Sequence, residues 1–233
     1  MKNLQLELCA ASVKAIELAK KYNFDRIEIC QNLEQGGITP SPGIIQFAVG
    51  KQVNTHVLIR QRIGDFIYND DEIQVMVSDV KSCNLLGVKG VVVGALTKNN
   101  EIDIPAIKAM IESVQELDFT FHRAFDDIGD WKKAMDLLIQ LKFKRILTSG
   151  GKKSINEGFD IAKEMVKYAN GRIEIMIGGG VNSENIRKIA EEIKPTAIHF
   201  SGTTLIKQVS KSIFSSDYLE INEEKVKTIL AQL

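Results

Sequence analysis

The residues best equipped for chemistry gather where short apolar runs end. The stretch DFTFHRAFD (118–126) alternates like a strand through Phe119, Thr120 and Phe121, then brings His122, Arg123 and Asp126 together within five residues. Such groups are costly to bury alone, and they are the usual carriers of proton transfer and anion binding. His122 and Asp126 are therefore candidate catalytic groups, with Glu28 as an alternative acid and Arg60 as a nearby cation.

A second pattern repeats a carboxylate two residues before a thiol: E-L-C at 7–9 and E-I-C at 28–30. Strand side chains alternate, so Glu7 and Cys9 share one face, as do Glu28 and Cys30. If register allows, the two sulfurs approach each other with the carboxylates a layer below. Two thiolates with a thioether such as Met176 are soft ligands suited to Cu(I), whereas a zinc site usually wants four protein ligands. Buried cysteine also packs as a small hydrophobe, which is how Cys83 reads, on an apolar stripe with Met76 and Val80.

Three further run ends are rich in glycine: T-S-G-G (148–151), G-G-G (178–180) and S-G-T-T (201–204). Glycine leaves backbone N–H groups open, and a following helix adds the positive end of its dipole. Ser149, Gly150, Gly151, Gly178, Gly179, Gly180, Ser201 and Gly202 are thus expected to cradle an anion beside Arg60 and His122. The stretch IRQRIGDFIYNDDE (59–72) adds Arg62 and Asp65, either as a salt-bridge cluster or as a lid carrying cationic groups.

These groups need a scaffold that brings many strand ends to one place. Strand-like runs occur at 4–10, 26–30, 55–60, 90–96, 118–125, 145–150, 172–180 and 197–202, each rich in β-branched or aromatic residues. Helix-period segments lie between them, such as SVKAIELAKKY, DDEIQVMVSDVKSCNLLG, IPAIKAMIESV and NSENIRKIAEEI. This alternation predicts parallel strands with crossover helices: a TIM (β/α)8 barrel, with an open doubly wound sheet as the other solution. No linker or low-complexity stretch divides the chain, so residues 1–233 read as a single domain. Alternation then turns Gln5, Glu7, Cys9, Arg26, Glu28, Cys30, His56, Arg60, Thr120, His122, Glu174, Met176, His199 and Ser201 inward. Barrel interiors are normally layered with Val, Ile and Leu, so this set departs from a purely structural core.

Composition narrows the partners. Thirty basic and thirty acidic residues cancel, leaving no field to draw in nucleic acid or an anionic membrane. No apolar run approaches a membrane span, and the first residues lack the apolar core of a signal peptide. Three cysteines form no disulfide framework, so a reducing, cytoplasmic setting is expected.

Taken in order, L-E-L-C, DRIEIC with EQGGITPSPG, IRQRIGDFIY, TFHRAFD, RILTSGG, IMIGGGVNSENI and IHFSG resemble the CutC family of copper-homeostasis proteins over residues 4 to 204. The segment from about 205 matches weakly. Where the family reads R-P-R-G-G-D-F this chain has R-Q-R-I-G-D-F, and M-I-G-G-G replaces M-P-G-G-G. The resemblance implies a TIM barrel, a cytoplasmic role in copper tolerance, and Cu(I) held by Cys9 and Cys30. The inward polar residues favour an alternative, an enzyme acting on a small anionic or phosphorylated substrate. Phe214 and Tyr218, aromatics in a polar tail, suggest a homodimer or higher homo-oligomer.

Overall fold

Eight short parallel strands close into a barrel in the computed structural model, which describes residues 4–208, 213 and 215–233. They are β1 (Gln5–Ala10), β2 (Arg26–Ile29), β3 (Thr55–Leu58), β4 (Gly90–Val93), β5 (Asp118–Phe121), β6 (Arg145–Thr148), β7 (Glu174–Ile177) and β8 (Ala197–Phe200), and β8 pairs back onto β1. The fold is a TIM barrel, as the strand count predicts. Its helices are α1 (Val13–Lys21), α2 (Pro42–Gly50), α3 (Asp70–Leu85), α4 (Ile104–Glu112), α5 (Trp131–Gln140), α6 (Ile155–Ala169) and α7 (Ile186–Lys188). Side chains start them: Ser12 accepts from the Ala15 amide, and Asn69 with Glu72 forms a reciprocal capping box on α3.

One helix differs from its sequence pattern. The segment NSENIRKIAEEI gives only the single turn of α7, followed by a π turn over Ile189–Ile193 that stops at Lys194 in the left-handed region. Pro195 follows directly, and a residue before proline is disfavoured in the α conformation.

The outward strand set is apolar. Leu8, Ile27, Ile29, Val57, Val91, Val93, Ile146, Ile175 and Ile198 are buried in one cluster with helix residues such as Ile16, Met76, Ile107, Met135 and Leu138. The inward set carries the polar groups. Alternate strands of such a barrel contribute to each interior layer. The registers place Glu7, His56, Thr120 and Met176 in one layer, Glu28, Val92, Leu147 and His199 in the next, then Cys9, Leu58, His122 and Gly178 toward the carboxyl ends.

Beyond the barrel, β9 (Thr203–Ile206) and β10 (Tyr218–Ile221) pair antiparallel, and α8 (Glu223–Leu230) ends the chain. Ser12 Oγ donates to Glu220 at 2.8 Å, and the Leu219 amide to Glu34 at 2.6 Å, which ties this hairpin to the β1 and β2 loops. Tyr218 is exposed on β10, while Phe214 lies outside the described residues.

Two interior glycines make room for imidazoles. A Cβ on Gly90 would lie 2.4 Å from His56 Nδ1, and one on Gly94 would lie 2.4 Å from the His122 ring. Gly50, on the helix surface, faces open space. Gly90→Ala should therefore cost about 1–3 kcal/mol in denaturant unfolding through overpacking. Gly50→Ala should be neutral or mildly stabilising. Equal effects at the two positions would contradict the fit of ring to glycine.

Candidate functional site

A hollow of about 120 Å³ opens at the carboxyl ends of the strands, lined by residues that include Cys9, Glu28, Cys30, Arg60, Phe66, His122, Arg123 and His199. Below it lies a floor of paired charges. Arg26 is bonded to Glu7 Oε2 and reaches Thr120 Oγ1 at 3.2 Å, while His199 Nδ1 meets Glu7 Oε1 at 2.6 Å. Arg145 pairs with Glu174 at 2.5 Å and with Gln5, deeper in the barrel. Burial alone would raise the pKa of Glu7, but the Arg26 guanidinium and His199 hold it well below the usual carboxylate range. His199 moves the other way: burial opposes its charge, yet the hydrogen bond to Glu7 and the field of Glu28 raise its pKa.

Glu28 sits one layer above this floor with less help. Burial lifts its pKa to about 7, and the nearby Glu7 charge reinforces the rise against His199 and Arg26. Its Oε2 has no hydrogen-bond partner. The ligand atoms of Glu7, Glu28 and His199 lie within 4.8 Å of one another, but both Glu7 oxygens are engaged by Arg26 and His199. That trio is an ion-pair network first.

Cys9 and Cys30 come together as the repeated pattern suggests, with sulfurs 3.7 Å apart, both buried and unoxidised. The register pairs Cys9 with Glu28 rather than with Cys30, so stagger, not a shared level, brings the thiols into contact. The hydrogen bond with Cys30 and burial push the Cys9 pKa well above that of a free thiol. Met176 is elsewhere. It packs with Leu147 and Ala197, its sulfur 3.7 Å from Arg145, and does not line the hollow, which corrects its placement beside the cysteines.

His122 lines the mouth, but it is not poised to transfer protons near neutrality. Burial and the Arg60 charge drive its pKa down to about 3. Its Nδ1 accepts from the Ala124 amide at 3.1 Å, so the neutral ring carries its proton on Nε2, which is buried and unpartnered. Phe66 roofs the site, its ring 4.8 Å from the His122 ring and 5.0 Å from the Arg60 guanidinium. Arg60 donates to the carbonyls of Gln35, Gly37 and Gly64 and leaves Nε without a partner.

Several other expectations are corrected. Asp126 is not free for proton transfer: its carboxylate accepts from the amides of Ser149 and Gly151, from both hydroxyls of Thr148 and Ser149, and from Arg123 at 2.8 Å. The Gly150 amide goes to Thr148 Oγ1 and that of Gly178 to the Thr148 carbonyl. These internal bonds take the amides of four of the eight residues of the expected anion cradle. Gly179 packs against Arg123, the Gly180 carbonyl caps Asn182 and Asn185, and Gly202 packs on Val226, while Ser201 bonds Thr203. Arg62 is held by Glu72 and Asp65 in its own loop, away from the hollow. Sequence reading missed Arg145, although strand alternation puts it inward with Leu147. It singled out Arg123 but not its part in locking the β6 loop, and it missed Phe66, for which a loop offers no periodic signal.

Fold and site together define a TIM-barrel protein with a thiol-bearing, polar mouth. Among the described residues no helix is long and apolar enough to cross a membrane. The chain belongs to the CutC family, whose model matches residues 4–204. The family protein CutC of Glaesserella parasuis serovar 5 is 40% identical over 216 residues, covering 91% of this chain and 88% of that one. The human copper homeostasis protein cutC homolog is 40% identical over 197 residues, covering 84% and 72%. The crystal structure of CutC from Streptococcus agalactiae superposes with a TM-score of 0.80 at 40% identity, over 84% of this chain and 98% of that one. A phosphoribosylanthranilate isomerase from Pyrococcus furiosus, at 12% identity and a TM-score of 0.58, shares the fold.

The imidazoles give a direct check. His56 is also lowered to about 3, by burial and then Arg26, so both rings have folded pKa values below the unfolded 6.5. Their contribution to stability is present above pH 6.5 and lost as pH falls toward 3, at up to about 1.4 kcal/mol per pH unit each. Long-range 1H–15N spectra between pH 5 and 8 should show His56 and His122 neutral throughout, with His122 protonated on Nε2. A His122 midpoint between pH 6 and 7 would contradict the site.

Proposed function

We propose that this protein takes up Cu(I) as cargo at its barrel mouth, in the reducing environment of the cytoplasm, through Cys9 and Cys30. The observation that carries this reading is the 3.7 Å approach of two sulfurs on the wall of an open hollow. Thiolates are soft ligands that select Cu(I). Two metal–sulfur bonds of about 2.3 Å would span that separation at a bent angle of roughly 110°, leaving a third position toward the hollow. Membership of a family with copper-homeostasis relatives supports the same reading. The raised Cys9 pKa means that the metal must displace a proton, so retention should weaken as pH falls. The exposed Tyr218 and Leu205 of the terminal hairpin support a further proposal, that two copies associate as a dimer.

One experiment reads both. The protein is loaded with Cu(I) under reducing conditions, passed through gel filtration with light scattering, and challenged with a Cu(I) chelator. The wild type should elute at dimer mass with copper bound, and the Cys9→Ser/Cys30→Ser double variant should elute folded and without copper. Equal copper in the double variant would refute the cysteine site, and a monomer mass would refute the dimer.

A further inference from the structure

Arg60 is a buried cation with no anion. Its outer nitrogens donate to three backbone carbonyls, and none of the ion pairs among the described residues includes it. A buried charge without a counter-charge is strongly unfavourable, so such a group invites a negative ligand. The Arg60 Nε–H has no hydrogen-bond partner, nor has His122 Nε2–H, nor Glu28 Oε2, which lies 3.8 Å from His199 Nδ1. All three residues are more than nine-tenths buried and line one hollow. Two donors and an acceptor without hydrogen bonds, on residues that line one hollow, describe a ligand as well as a site.

The donors call for a carboxylate, and the acceptor for a hydroxyl on the same small molecule. A phosphate finds fewer donors, because the amides of Ser149, Gly150, Gly151 and Gly178, half of the expected cradle, are already bonded internally. Size sets the other limit. A water molecule takes about 30 Å³ in the liquid, so a hollow of about 120 Å³ has room for only a few non-hydrogen atoms.

We infer that the mouth binds a small 2-hydroxy acid, its carboxylate against Arg60 Nε–H and His122 Nε2–H and its hydroxyl donating to Glu28 Oε2. None of these contacts involves a sulfur, so the inference stands independently of the copper reading. Its test uses copper-free protein kept with chelator and reductant, so a failure of copper retention leaves the result untouched.

The probes are glycolate, acetate and inorganic phosphate, titrated to millimolar concentration into protein labelled with 15N in arginine and histidine. Glycolate should shift the Arg60 Nε–H and His122 Nε2–H resonances and bind roughly tenfold more tightly than acetate, about the worth of one net hydrogen bond. Glu28→Leu should erase that preference; should this variant fail to fold, the wild-type comparison decides alone. Unmoved resonances with glycolate, equal binding of acetate and glycolate, or a response to phosphate alone would each overturn the inference.

Discussion

The interior of this barrel depends on the ion pair between Glu7 and Arg26. A carboxylate with no solvent exposure survives there only because a guanidinium and an imidazole face its two oxygens. Their fields then set everything around them. Arg26 helps keep His56 neutral, Glu7 helps raise the pKa of His199, and the same Glu7 charge, added to burial, holds Glu28 near 7. Glycine completes the arrangement, since Gly90 opens the space that the His56 ring fills.

Above that floor the pattern of satisfaction reverses. The paired charges give way to a hollow where Glu28, Arg60 and His122 each keep one polar atom without a partner, next to two thiols in contact. Polar groups left unpaired inside a protein are rare and costly, and three of the five such side-chain atoms among the described residues belong to residues of this hollow. Rigid supports surround it. Asp126 and Arg123 lock the β6 loop, while Arg60 ties together the loops after β2 and β3.

Much of this was legible in the sequence because strand alternation is a strong geometric rule. It turned Glu7, Cys9, Glu28, Cys30, His56, His122 and His199 inward and implied a barrel. What it could not supply was distance along the barrel axis. Met176 obeys the alternation yet lies in a layer below the cysteines, because register, not facing, fixes depth. Loop chemistry was also hidden. The glycines of SGG promised open amides, but whether a ligand or the protein's own Asp126 takes them depends on a neighbouring loop that lies 23 to 25 residues earlier in sequence. Ionisation was the least legible property, since His122 titrates far from neutrality only because its burial and the Arg60 charge act together.

The most direct test is the stability of Arg26→Met, measured by denaturant unfolding beside the Glu7→Gln/Arg26→Met double variant. If Glu7 is ionised and depends on Arg26, the single change should cost about 3–5 kcal/mol by stranding a buried charge, and the double change should recover most of that loss. A single variant as stable as the wild type would contradict the charged floor on which the mouth is built.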